Sequence, residues 1–252
     1  MIIFQYKGNE YKYPSGWHSI PLSKAIKVMA IEIPQCLEEM WRADESEQLK
    51  LIEAADKEGY FESIIPEYFG KVIQELTTIP QLDIDLMSIE DRTEFFNTFL
   101  KRFVADLYVG YSDEHKLTSF KWGKVELDEF GFYKSIEEKD EYIMVESLSK
   151  LGVEIPFAKE TAVSFTESSD LRSAIKKFSD GGQFHFAANI VSILCRKKDE
   201  KYNKTLMRLR AGEFKDIPMN IVFSVFFYTI VSCNLLKAVT DTCLEKAKTK
   251  VK

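Results

Sequence analysis

The sequence predicts an α+β chain, predominantly α-helical. It carries a short N-terminal β-hairpin, a β-bearing middle segment and a C-terminal helical unit around a buried apolar helix. Three observations carry this reading. Ile2-Ile3-Phe4-Gln5-Tyr6 and Tyr11-Lys12-Tyr13 are β-favouring runs flanking Lys7-Gly8-Asn9-Glu10, a turn. From Gln35 to Gly110 the apolar residues recur mainly at helical spacing. Residues 219–236 carry no charge, and as a helix they would reach ~27 Å at ~1.5 Å per residue.

After the hairpin, Ile20, Leu22, Ile26 and Ile31 mix strand and helix spacing. Gln35 to Ala55 reads as one helix on Leu37, Met40, Trp41, Leu49 and Ile52, with a solvated acidic face that includes Glu38, Glu39, Asp44 and Glu45. A second helix covers Tyr60 to Leu76 and ends at Pro80. Ser88-Ile89-Glu90-Asp91 then resembles a capped start for a helix over 89–110 that turns Phe95, Phe96, Phe99, Phe103, Leu107 and Tyr108 inward. Such an aromatic stripe predicts core. From Leu117 to Tyr133 the pattern changes to alternation (Phe120, Trp122, Val125, Leu127), as in strands, and Val153 to Phe165 is similar.

Ser169-Asp170-Leu171 opens a helix reaching Phe178, and Gly181-Gly182 breaks it. Phe184, Phe186, Ala187, Ile190, Val191 and Leu194 mark the next helix. Lys204 to Lys215 predicts a short amphipathic helix on Leu206, Leu209 and Phe214. Asp216-Ile217-Pro218 is the entry to the uncharged run, with Asp216 as a cap. Asn220, Ser224, Thr229, Ser232 and Asn234 lower that run's propensity to insert into a bilayer, so burial in protein is expected and a membrane is not, with a tail anchor or an interfacial helix as the alternative. Val239 to Lys252 is a basic, polar tail. These elements divide the chain into 1–113, 114–168 and 169–252.

At 252 residues with a net charge of −6 and 19 Phe, the chain has the composition of a folded globular protein. Its beginning has neither a basic lead nor a long apolar core, so no secretory signal is expected. Cys36, Cys195, Cys233 and Cys243 show no paired spacing, which predicts reduced thiols in a cytoplasmic protein. His18, His115 and His185 have no companion at metal-ligand spacing. There is no Gly-x-Ser-x-Gly elbow and no glycine-rich phosphate loop. The expectation is a protein without catalytic residues, cofactor or metal.

One stretch reverses the overall charge. Arg196, Lys197, Lys198, Lys201, Lys204, Arg208, Arg210 and Lys215 face only Asp199, Glu200 and Glu213. They are the candidate interaction residues, a docking surface for an acidic partner or a phosphate backbone.

Several pieces carry a likeness. MIIFQYKGNEYKYP followed by WHSIPLSKAIKV, then AVSFTESSDL, then ILCRKKDEKYN and RLRAGEFKDIPMNIVFSVFFY come in order. Together they resemble bacteriophage tail-assembly proteins, tail-assembly-chaperone-like or minor virion (tail or connector) proteins, over about a third of the chain. The resemblance implies a non-enzymatic protein of the host cytoplasm that binds a phage structural protein, tape-measure-like or another tail component, during assembly, with self-association as a further expectation. The alternative it leaves open is a structural part of the virion that contacts DNA or an acidic neighbour through the basic patch.

Overall fold

The structure is a computed structural model and describes residues 1–109, 117, 119–144, 165–180, 183–198 and 200–226. It is α+β and predominantly helical, and the chain falls into two units. Met1–Ser112 with Glu126–Ser135 makes the first; Asp113–Val125 with Ile136–Lys252 makes the second. The strand-bearing middle of the chain is shared between them.

In the first unit β1 (Ile2–Tyr6) and β2 (Asn9–Tyr13) pair antiparallel through a turn of two residues. Lys7 and Gly8 have φ of 50° and 82°, the twist that a right-handed hairpin requires and that glycine adopts at little cost. The hairpin places Phe4, Tyr11 and Tyr13 on one face. There Phe4 lies 4.9 Å from Phe95 and Tyr13 lies 4.9 Å from Phe99. The tyrosine tips stay paired: Tyr11 Oη donates to Asp83 at 2.6 Å and Tyr6 Oη to Asp91 at 2.8 Å.

Helices follow: α1 (Leu22–Met29), α2 (Gln35–Arg42), α3 (Glu45–Lys57), α4 (Ile64–Leu76), α5 (Gln81–Asp85), α6 (Ile89–Phe95) and α7 (Lys101–Val109). The mixed pattern after the hairpin resolves into a 3-10 turn at Trp17–Ser19 and α1. The single helix expected over Gln35 to Ala55 is two. Ala43 is extended, and the Asp44 carboxylate accepts the backbone N–H groups of Ser46 and Glu47, capping α3. The apolar spacing runs through this break, which is why the sequence conceals it. Asp44→Ala should lower stability by about 1 kcal/mol in urea unfolding, whereas Asp44→Ser should lower it by less.

The predicted start at Ser88 holds, its Oγ accepting the Asp91 N–H. From Ile89 to Val109 the helix is continuous but widens into a π turn at Phe96–Leu100. The inward pairs are Phe95/Phe96, Phe99/Leu100 and Phe103/Val104, a repeat of four residues. An α-helix turns in about 3.6, so such a stripe would rotate away from the core by about 40° per turn. The wider turn brings it back into register. Phe96 is fully buried and stacks on Phe69 at 4.0 Å. Trp17 meets Phe103 edge-on at 5.2 Å and donates to Asp106 at 2.9 Å.

The strands β4 (Val125–Leu127) and β5 (Tyr133–Ile136) flank a loop in which Asp128 Oδ1 accepts from the N–H groups of Phe130 and Phe132. Phe132 is buried under Lys24, whose ammonium lies 4.6 Å from the ring centre. Lys24 donates to the Phe130 carbonyl and sits 3.6 Å from Glu75.

The second unit contains an antiparallel sheet in the order β3 (Ser119–Trp122), β6 (Asp140–Met144), β7 (Cys195–Arg196). Alternation puts Phe120 and Trp122 on one face, where Phe120 stacks on Tyr142 at 5.5 Å and Phe214 meets Tyr142 at 5.1 Å. At Gly123 a Cβ would fall 2.2 Å from the Glu137 carbonyl, so no side chain fits there.

Three helices complete the unit: α8 (Phe165–Asp180), α9 (Phe186–Leu194) and α10 (Lys204–Glu213). The first begins before the opening expected at Ser169-Asp170-Leu171, so all three residues lie inside it. The helix from residue 219 starts after Pro218, whose carbonyl accepts from Ile221 and Val222, while Asp216 belongs to a preceding 3-10 turn. Met219, Ile221, Val222, Phe223 and Val225 are buried, as expected for that stretch; 227–236, the tail and the 153–164 run lie outside the described residues. No helix among the described residues is long and apolar enough to cross a membrane.

Candidate functional site: a cationic cleft between three helices

In α9 the sequence FAANIVSIL is apolar nearly all round, and Ala187 and Ala188 keep its surface low, so α8 and α10 pack against it closely. The third helix, α10, begins at Asn203, whose side chain accepts the Leu206 N–H at 3.0 Å. Its buried face is Met207 and Arg210, continued by Phe214. Of the face expected on Leu206, Leu209 and Phe214 only Phe214 is buried, since Leu206 and Leu209 are 39% and 66% exposed.

The core position is taken instead by a charged residue. Arg210 is 3% exposed, with its guanidinium bonded to both Glu200 carboxylate oxygens at 2.7 Å and to the Cys195 carbonyl at 3.2 Å. It also lies 5.1 Å from the Tyr142 ring centre. A paired and hydrogen-bonded guanidinium can occupy a core position that an unpaired one cannot.

Between α8, α9 and α10 lies a cleft of about 220 Å³. Ala174, Phe186, Ile193 and Met207 supply its apolar surface; Ser173, Asn189, Ser192 and Tyr202 supply neutral polar groups. Its charged liners are Lys177, Lys204 and Arg208 against a single carboxylate, Asp170. Both oxygens of that carboxylate are engaged, one by Lys204 Nζ at 2.5 Å and the other by Tyr202 Oη at 2.6 Å. These bonds hold the Asp170 carboxyl below its usual range, while burial and then Asp170 push the Tyr202 phenol up to about 12. Lys177 and Arg208 form no ion pair among the described residues, and the Asn189 amide makes no hydrogen bond among them. Among the described residues the cleft therefore offers two cations without a bonded carboxylate, Lys177 lying over the Phe186 ring at 4.7 Å, and an amide without a hydrogen bond, beside apolar surface.

The eight candidate residues separate accordingly. Lys204 and Arg208 line the cleft, and Lys198 and Lys201 are exposed. Arg196 is half-buried, its guanidinium 5.5 Å from the Tyr202 ring centre. Lys197 pairs with Asp140 at 2.7 Å, and Lys215 lies 3.8 Å from Asp216. Arg210 is a core residue, unavailable to a partner. The cleft also takes Lys177, Asp170, Tyr202 and Asn189, which lie outside the candidate interaction residues. A signal existed for Lys177, which stands two helical turns after Asp170 and hence on the same face.

The Asp170 bonds make a pH prediction. Its folded pKa is below the unfolded value of 3.8, so its stabilisation is fully present above that value and lost as pH falls through the folded one. Thermal unfolding should show wild type losing stability below about pH 4 relative to Asp170→Asn, which lacks this titration.

Among the described residues no His, Cys, Asp and Glu cluster has the arrangement of a metal site. No protein-family model, no curated protein and no solved structure matches this chain.

Proposed function

We propose that this chain is a non-enzymatic binding protein whose cationic cleft holds an acidic segment of another protein. The setting we propose is the one its resemblance implies, bacteriophage tail assembly in the host cytoplasm, with a tape-measure-like or other tail component as the held chain. One observation carries the binding mode: among the described residues Lys177 and Arg208 have no carboxylate partner at a cleft that also offers apolar surface, while the neighbouring cations Lys197, Lys204 and Arg210 are already matched by acids. An acidic side chain with a short hydrocarbon stem meets both features.

The exposed Lys198 and Lys201 favour one second reading, a virion component that uses the same surface against DNA. DNA would bind that surface with an affinity that falls steeply with salt. Pull-down of tagged protein from phage-infected cells tests both. A tail protein captured by wild type and lost from Lys177→Glu/Arg208→Glu supports the proposal. Capture unchanged by that double variant, or DNA recovered in place of a tail protein, contradicts it.

A further inference from the structure

In the first unit, β1 pairs among the described residues with β2 alone. The hairpin closes at Tyr6–Asn9 through a turn of two residues, so that pair and its alternates, Phe4–Tyr11 and Ile2–Tyr13, exchange the ladder hydrogen bonds. The intervening pairs, Ile3–Lys12 and Gln5–Glu10, direct their N–H and C=O groups outward. On β2 this edge is covered at Lys12, whose N–H donates to Thr78 Oγ1 at 2.8 Å and whose carbonyl accepts the Thr78 N–H at 3.0 Å. On β1 the outward groups of Ile3 and Gln5 make no hydrogen bond among the described residues.

Beside that open edge runs a groove of about 270 Å³, bounded by Phe4 and Tyr6 on one side and by Met87, Phe95 and Phe99 on the other. No β2 residue lines it, so it flanks the unpaired strand. Its charged liners are both acidic, Asp91 and Glu94. Asp91 already accepts from Tyr6 Oη; Glu94 forms no ion pair among the described residues. An open row of backbone donors and acceptors selects an extended chain. The aromatic groove selects an apolar side chain at alternate positions of that chain, and the two carboxylates select lysine or arginine beside it.

We infer that β1 is a docking edge for an extended, basic segment of a partner protein that adds to the hairpin as a third strand, with one large apolar side chain in the groove and a cation against Glu94. This site belongs to the first unit and the cationic cleft to the second; it prefers the opposite charge and does not depend on the function proposed for that cleft.

The test uses the full chain and a seven-residue acetylated peptide of alternating lysine and phenylalanine or valine, with amide hydrogen exchange read residue by residue. Slowed exchange at Ile3 and Gln5 is expected on binding. Methylating the peptide nitrogens that face β1 should weaken binding about tenfold without altering the protein. Gln5→Pro, which removes an outward N–H and leaves the β2 ladder intact, should weaken it about as much. Glu94→Lys should shift preference to a glutamate version of the peptide. Any of three outcomes overturns the inference: binding indifferent to N-methylation, no binding at millimolar peptide, or protection of Ile3 and Gln5 by rising protein concentration alone, which would make a second copy the occupant.

Discussion

Arg210→Ala should destabilise the second unit by about 3–5 kcal/mol, the cost of breaking a buried ion pair from one side. The substitution leaves the Glu200 carboxylate, 14% exposed, without its counterion, and leaves the Cys195 carbonyl without a donor. It also empties the space against Tyr142. Most of the loss arises from the stranded carboxylate, so the double variant Arg210→Met/Glu200→Gln should recover the larger part of it. Urea unfolding followed by circular dichroism measures both. A loss under about 1 kcal/mol for the single variant would place Arg210 at the surface instead of in the core.

Phe96→Ala should cost about 3–5 kcal/mol in the first unit, because a fully buried ring leaves a cavity that its neighbours cannot fill. Phe69 stacks on it at 4.0 Å with the planes 14° apart, and Trp41 lies nearly parallel at 6.4 Å. Phe99→Ala, at a half-buried position on the same helix, should cost distinctly less. Equal losses at the two positions would contradict the π turn, since a regular helix would rotate the stripe and level the burial of its members.

The same residues show how much the sequence discloses. Aromatic alternation beside Lys7-Gly8 announces the hairpin, because period two and a positive-φ turn are local properties. Phe95, Phe96, Phe99 and Phe103 announce a buried helix face for the same reason. The break at Ala43-Asp44 stays hidden, since a cap is only a preference and the leucine and isoleucine spacing continues across it. Arg210 shares its charge type with the other candidate interaction residues, so its sequence position does not set it apart; its burial depends on the pairing with Glu200 that the fold brings about. The basic stretch itself was legible. Its division into paired and unpaired members was not, because that depends on Asp140 and Asp170, and Asp170 meets Tyr202 across 32 positions of chain.

Titration of a fluorescent glutamate-rich peptide against the intact protein reads the cleft's affinity for acidic chains. Saturable binding that weakens about tenfold or more in Lys177→Glu/Arg208→Glu, with Lys197→Ala and Lys215→Ala close to wild type, is the predicted result. Equal weakening by all of these substitutions would mean that general positive charge binds the peptide, with no part for the cleft.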